Sequence, residues 1–267
     1  MIPEAEDFRC ESAVLVELLD TAPEAIFATA TQFKQWTVDD VIAHLFLWNH
    51  AACLTLTNPE AFTALLNALG RHGGSHLAFQ RQWLAEEHDG AHGRALLNAY
   101  RAHFALLAAA YSAADPEQRV AWAGPPMTTR AKIIARQMES WAHGQAVFDL
   151  LGVKRHESDR IRNIAHLGVT TYSWTFRNRR LDPPQRKPFV SLTGPSGAVW
   201  TWNDPQDENQ VSGSAVEFAQ VVTQVRNIAD TALVTRGTTA QDWMAVAQCF
   251  AGPPENPPAP GTRYRLG

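Results

Sequence analysis

The chain has 267 residues, 45% of them hydrophobic, and a formal net charge of −4. That length can bury one large core or two ordinary ones, and the slightly acidic balance offers no basic patch for nucleic acid. Three scattered cysteines, Cys10, Cys53 and Cys249, with no CxxC, exclude a disulfide framework and point to a reducing cytoplasm. The opening Met-Ile-Pro-Glu-Ala-Glu-Asp lacks the basic region and apolar stretch of a signal peptide, and no apolar run reaches the length of a bilayer span. The expectation is a soluble cytoplasmic protein that engages neither nucleic acid nor membrane.

The first half predicts helices. Phe8, Val14, Leu15, Leu18 and Leu19 recur near helical period and predict a helix over Glu4 to Leu19. Thr37 is a good N-cap with Asp39 and Asp40 in the turn that follows, and the helix it opens carries Val41, Leu45, Trp48 and Cys53, with His44 on a neighbouring line. A third helical pattern covers Pro59 to Leu69, broken by the glycine pair of Arg71-His-Gly-Gly-Ser-His76. A long Ala/Leu-rich helix is predicted from His92 to Tyr111, and Gly124-Pro125-Pro126 interrupts again. Thr128 or Thr129 then caps a helix with a core-facing stripe of Ile134, Met138, Trp141 and Phe148, and Gly152 is its C′ residue.

After Gly152 the character changes. One further helix, a connector, is predicted over Ser158 to Arg177, followed by the basic, proline-interrupted stretch Arg177 to Lys187, which suits a solvated linker or an anion site. Phe189 to Thr193 and Ala198 to Trp202 flank Gly194-Pro-Ser-Gly197 as a hairpin. Ser214 caps a helix through Phe218, Val221 and Val222 to about Arg226, a strand is expected over Thr231 to Thr235, and Thr239 caps a last helix with Trp243, Val246, Ala247 and Phe250. The layout is mainly α, with a smaller α+β second domain. Its expected boundaries are a helical bundle over 1–155, a connecting helix and basic linker over 156–187, a small α+β domain over 188–252 and an unstructured proline-rich tail over 253–267.

The chemistry concentrates in Glu139-Ser-Trp-Ala-His143 and His44. A Glu and a His four residues apart project from one helical face. Zinc and similar divalent ions accept such oxygen and nitrogen donors, and catalytic sites keep a further position open. The same spacing also suits a solvated surface pair. The neighbours favour a ligand role, since Ala135, Ala142 and Ala146 share the strip and leave space that a salt-bridged face does not need. Four long helices with an inward Glu and His suggest a bundle with a metal in its core.

Trp36-Thr37-Val38-Asp39-Asp40-Val41-Ile42-Ala43-His44-Leu45 resembles the "W-T-V-x-D-V-x-A-H-L" segment of the DinB-like, mycothiol-dependent maleylpyruvate isomerase superfamily, and Glu139-Ser-Trp-Ala-His143-Gly144 resembles its second metal segment, "E-x-x-x-H-G". Arg130 to Gly152 and Ser158 to Gly168 are similar to segments of an actinobacterial metal-binding branch, and the similarity extends over nearly the whole chain. The resemblance implies a DinB-like four-helix bundle followed by a small sterol-carrier-like α+β domain, with His44, Glu139 and His143 holding zinc or another divalent ion. It also implies mycothiol, or another low-molecular-weight thiol, kept as thiolate by the metal; the isomerase adds that thiol to a conjugated cis double bond and expels it after rotation. Val222-Thr-Gln-Val-Arg226 resembles the end of the helix that carries the family's active-site arginine, which makes Arg226 the candidate; the usual "G-R" ending reads Val225-Arg226 here.

Other residues compete for roles. Arg136, three residues before Glu139, suits either a salt bridge to that carboxylate or an anionic substrate. Trp48, one turn beyond His44, is core or the wall of an apolar cofactor or substrate pocket. His50 falls on another face of its helix, His72 and His76 sit beside the glycines, His166 suits packing at the domain boundary, and Cys53 reads as a small buried hydrophobe. No GxGxxG, Walker or GxSxG segment occurs, which argues against the familiar nucleotide-binding and hydrolase frameworks. The leading expectation is a metal-dependent isomerase or thiol S-transferase acting on a small molecule, monomeric or homodimeric, with Arg226 or Arg136 neutralising negative charge and substrate entering between the domains. A thiol-independent cyclase, lyase or isomerase of natural-product biosynthesis needs the same three ligands. A non-catalytic metal-binding or resistance protein is the alternative from another class.

Overall fold

In the computed structural model, which describes residues 1–73 and 75–267, the chain divides into two compact units, Met1–Leu150 and Leu151–Gly267. Gly74, the second glycine of the expected break, lies outside the described residues. The first unit is built on four helices: α1 (Glu4–Asp20), α2 (Val38–Thr57), α5 (Gly93–Ala113) and α6 (Thr129–Leu150). α1 packs on α5 and α6, and α2 packs on the same two, which closes a four-helix bundle. Two further helices, α3 (Pro59–Arg71) and α4 (His76–Glu87), lie against α2. A short hairpin of β1 (Arg119–Val120) and β2 (Met127–Thr128) precedes α6, and Thr128 Oγ1 caps that helix by accepting from Ala131 N at 3.2 Å.

The start of α2 holds this arrangement together. Thr37 Oγ1 accepts from Asp40 N at 3.1 Å while Asp40 Oδ2 accepts from Thr37 N at 3.0 Å, a reciprocal capping box. Arg81 of α4 donates to both Asp40 oxygens at 2.9 Å, and Gln80 Nε2 donates to Asp40 O at 2.9 Å. Asp39 Oδ1 accepts from Gly93 N, the first residue of α5, at 2.8 Å. Burial pushes the Asp40 carboxyl up, but the bonds from Arg81 and Thr37 outweigh it and hold it below the usual carboxylate range. α4 is absent from the sequence-based expectation because its buried positions, Phe79, Gln80, Trp83 and Leu84, make too short a stripe to read; its place is set by the Asp40 contacts.

The bundle core takes in much of the expected stripes. Phe8 and Leu15 of α1, Val41 and Leu45 of α2, Leu96 and Leu107 of α5, and Met138 and Trp141 of α6 are buried. Each such side chain contributes about 1.5–3 kcal/mol. Polar cross-links fix the register. Ser12 Oγ lies 3.2 Å from Ser140 Oγ, and Tyr111 OH donates to Ala52 O at 3.1 Å.

In the second unit, the single connector helix of the sequence reading is two helices, α7 (Ile161–Thr170) and α8 (Tyr172–Asn178), broken at Thr171. The sheet has the order β4-β3-β5-β6, comprising β3 (Phe189–Thr193), β4 (Val199–Trp202), β5 (Gln210–Ser214) and β6 (Val234–Arg236). The hairpin β3–β4 and the pair β5–β6 are antiparallel, while β3 and β5 run parallel with Val190 opposite Val211. β5 escapes the sequence reading because Gln210-Val-Ser-Gly-Ser offers one large apolar residue and no alternation. α9 (Ala215–Val222), capped by Ser214 Oγ, packs on β3, β5 and α7.

Thr239 does not cap the last helix, α10 (Thr238–Val246). Gly237 occupies the N-cap with φ 79°, where a Cβ would meet Glu208 O at 2.2 Å. The proline-rich end has no helix or strand, yet it is tied down within this unit. Asn227 Nδ2 donates to Pro258 O at 2.9 Å, and Arg263 Nη1 donates to Gln224 O at 2.7 Å. Among the described residues no helix is long and apolar enough to cross a membrane.

One buried amine stands out in the first unit. Lys132 of α6 is fully buried, its Nζ lies 3.1 Å from the Trp122 ring centroid, and it has no hydrogen-bond partner among the described residues. Burial, helped by the charge of Arg136, pushes its pKa down to about 5 from 10.5. The unfolded chain therefore binds more protons between those values, and stability rises with pH across that window. Lys132→Met is expected to stabilise the protein at neutral pH by about 1–3 kcal/mol and to flatten the rise in stability between pH 6 and 9, as measured by urea unfolding at several pH values. A variant less stable than the parent, with an unchanged slope, would refute this account of Lys132.

Candidate metal centre

α2 presents His44 and α6 presents Glu139 and His143. His143 Nε2 lies 3.1 Å from Glu139 Oε2, and His44 Nε2 lies 3.5 Å from the same oxygen. The two imidazole centroids are 4.5 Å apart, and one donor atom from each residue falls within 4.8 Å of the others. Two helix positions one turn apart and a third on the facing helix thus aim at one point.

The electrostatics suit cation binding. Burial, reinforced by the neighbouring His143, pushes the His44 pKa down to about 3, so its imidazole is neutral, the form a metal ligand requires once an ion displaces the Nε2 proton. Burial alone would raise Glu139. Hydrogen bonds from His143 and His44, with the nearby Arg136 charge, instead hold it well below the usual carboxylate range. His44 Nδ1 is buried without a hydrogen-bond partner among the described residues, so Nε2 is the nitrogen engaged with the site. Two imidazole nitrogens and one carboxylate oxygen form a donor set that zinc and related divalent ions accept. The residues present therefore fit such an ion.

Arg136 is not where the sequence reading had it. Only 2% exposed, it makes neither the salt bridge to Glu139 nor a surface for substrate: Nε donates to Asn49 Oδ1 at 2.9 Å and Nη2 to Leu45 O at 3.4 Å. Its side chain runs across to α2, because burying a guanidinium demands acceptors and α2 supplies them. Trp48 lies beside His44, with centroids 6.4 Å apart, but it is buried in a cluster with Ala51, Phe62 and Trp122.

The aromatic residues against the ligands are others. Trp36 stacks on His143 at 5.9 Å with an interplanar angle of 4° and lies 5.3 Å from His44, and Phe33 meets His143 edge-on at 4.9 Å. The sequence reading used Trp36 only as part of a motif and passed over Phe33. The available signal was a tryptophan directly before the Thr37 cap. His76 opens α4 with its ring 6.4 Å from His44. His50 faces away, against Trp83 and His103, and borders a separate cavity of about 290 Å³. Within the second unit, His166 Nδ1 accepts from Trp202 Nε1 at 3.2 Å.

Arg226 follows α9. Val225 N and Arg226 N both donate to Gln220 O, at 2.8 and 3.1 Å, and the left-handed residue of this turn is Gln224 (φ 57°). The family's glycine position is thus filled by Val225, while the positive φ falls one residue earlier. Arg226 as a residue is partly buried, with Nη1 donating to Val225 O at 3.2 Å.

A family model described as the mycothiol maleylpyruvate isomerase N-terminal domain matches residues 8–148. Uncharacterized proteins from two strains of Mycobacterium tuberculosis are each 36% identical over 253 residues, covering 94% of this chain and 96% of their own length. Two crystal structures of the mycothiol-dependent maleylpyruvate isomerase, one carrying a histidine-to-alanine mutation, are similar in fold, with TM-scores of 0.52 and 0.51. Their sequences are 18% and 17% identical, over 82% of this chain and 87% of theirs.

His44→Ala and His143→Ala are each expected to abolish stoichiometric zinc in the purified protein, read by elemental analysis, while far-UV circular dichroism shows the helices retained. Full zinc content in both variants would refute the ligand assignment.

Proposed function

The chain belongs to the mycothiol maleylpyruvate isomerase N-terminal domain family, and on that premise we propose that it is a divalent-metal-dependent enzyme acting on a small molecule with a low-molecular-weight thiol such as mycothiol, as an isomerase or S-transferase. The observation that carries this reading is the convergence of His44, Glu139 and His143 on a strip that remains reachable. The side chains of Glu139 and His143 keep 21% and 13% of their surface accessible, against 10% for His44. A fully closed ligand set would suit a structural ion; one with an accessible side suits catalysis.

Zinc is the ion this donor set suits first. Bound there, it supplies Lewis acidity, which favours a thiol as thiolate or polarises a substrate oxygen. The chain's own groups do the remaining work. His44 contributes a neutral donor because burial keeps it unprotonated. Glu139 contributes a single negative charge, so a site holding a divalent ion keeps a net positive charge for an anionic ligand. Trp36 and Phe33 shield one side of His143 from water. Arg226 is assigned to neutralise a developing enolate or a substrate carboxylate, supported by its position after α9 and its partial burial. Arg136 steadies α6 against α2.

The test separates thiol dependence from metal dependence. Protein loaded with Co²⁺ should change its visible spectrum when mycothiol is added, and should convert a cis-conjugated keto acid such as maleylpyruvate to its trans isomer only with the thiol present. Arg226→Ala should lower kcat by about 100-fold with metal content unchanged. Turnover that ignores the thiol would favour a thiol-independent isomerase, cyclase or lyase. Tight binding without product would favour a sequestering protein.

A further inference from the structure

The segment before α2 is shaped around the candidate ligands. Phe33, Lys34, Gln35 and Trp36 form a tight turn in which Trp36 N donates to Phe33 O at 2.9 Å. Both central residues are left-handed, Lys34 at φ 52° and Gln35 at φ 58°. That is the type I′ geometry usually given to asparagine and glycine, and side-chain-bearing residues seldom adopt it twice in succession. The turn is closed from outside by Thr31 N donating to Trp36 O at 2.7 Å and by the bridge between Ala30 and Thr37. Its effect is to bring the first and last side chains of the turn together, Phe33 and Trp36, edge to face at 5.1 Å. Both then lie on His143, and Trp36 also reaches His44.

Histidine ligands usually have their ring plane fixed by a hydrogen bond from the nitrogen that faces away from the ion. His44 lacks that device, since its Nδ1 is buried and has no hydrogen-bond partner among the described residues. Its ring instead lies against Trp36 at 5.3 Å, with Trp48 and His76 further off at 6.4 Å. His143 is held by the parallel face of Trp36 and the edge of Phe33. These separations lie within the range over which aromatic rings orient one another. Trp36 is also partly exposed, so its place is not explained by burial in the core.

We propose that Trp36, buttressed by Phe33, is a positioning residue that fixes the ring planes of His143 and His44, performing by aromatic stacking what a hydrogen bond from the second ring nitrogen performs elsewhere. Rotation of an imidazole about its side-chain torsions swings the Nε2 lone pair away from the point shared with Glu139. The flat indole face opposes that rotation for His143, and the same ring, tilted 55° to the His44 imidazole, limits it there. The Thr37 cap fixes the backbone next to Trp36, so the ring's place is inherited from the start of α2. This role rests on the metal reading of the same three residues.

The test measures Co²⁺ affinity by competition with a chelator, and the visible spectrum of the Co²⁺ protein, for the parent, Trp36→Leu, Trp36→Phe and Phe33→Leu. Trp36→Leu keeps an apolar side chain but no stacking face. It is expected to bind Co²⁺ about 10–100-fold more weakly with a shifted and broadened spectrum, at unchanged helical content. Trp36→Phe should recover most of the affinity, and Phe33→Leu should lose several-fold. Equal affinity and an identical spectrum in Trp36→Leu would overturn the positioning role while leaving the ligands intact. Should Trp36→Leu fail to fold, Phe33→Leu decides, and parental affinity and spectrum in that variant would overturn it. Failure of the parent to bind Co²⁺ at all would overturn the metal reading, and this role with it.

Discussion

The first turn of α2 is the constraint from which the rest of the first unit follows. Thr37 and Asp40 satisfy each other's backbone donors, and a lost cap of this kind costs about 1 kcal/mol. Its reach exceeds that figure, because the same acids hold other elements. Asp40 receives Arg81 and Gln80 of α4, and Asp39 receives the first backbone amide of α5. Arg81 is largely exposed, so the ion pair itself adds little to stability; its value is geometric. One turn of helix thereby sets α4 and α5 relative to α2, aims His44 two turns further along, and fixes Trp36 one residue upstream.

The candidate centre then needs only one more fixed partner, α6. Ser140 bonds toward α1 through Ser12, and Arg136 bonds across to α2 through Asn49 and the Leu45 carbonyl. These buried polar contacts flank Glu139 on its own helix. Such bonds add about 1 kcal/mol each in net terms, but leaving any of these groups unpaired costs more. They therefore penalise any sliding of α6 past α2 that would pull Glu139 away from His44. Arg136 was expected to act on substrate; its buried guanidinium does structural service instead and biases the Glu139 charge from within the protein.

Within the second unit, short apolar strands and the buried faces of α9 and α10 make the core, with Val190, Leu192, Val211, Phe218 and Trp243 inside. The carboxy-terminal stretch is fixed not by a hydrophobic pattern but by side-chain amides and guanidinium groups donating to its carbonyls, as Asn227 does to Pro258 and Gln248 Nε2 to Pro253 at 3.0 Å. Proline-rich backbone cannot donate along a ladder, so its order depends on donors from elsewhere in the unit. That is why composition alone suggested an unstructured tail.

The sequence by itself determined the helices with strong periodicity and clear caps, the Thr37 and Ser214 N-caps, the β3–β4 hairpin, and the fact that Glu139 and His143 share one face. All of these are local properties, set by the 3.6-residue and two-residue repeats and by hydrogen bonds within a few residues. It left α4, β5 and the break at Thr171 unread, since their short patterns gain meaning only against neighbours. Only the tertiary structure decided that His44 meets a carboxylate 95 residues away, that Arg136 turns to Asn49, and that Phe33 and Trp36 close on the ligands. The reason is physical. A helical repeat fixes the direction of a side chain about its own axis, whereas the residue it meets depends on how two helices are set against each other, and the bonds that set them here join side chains far apart in the chain.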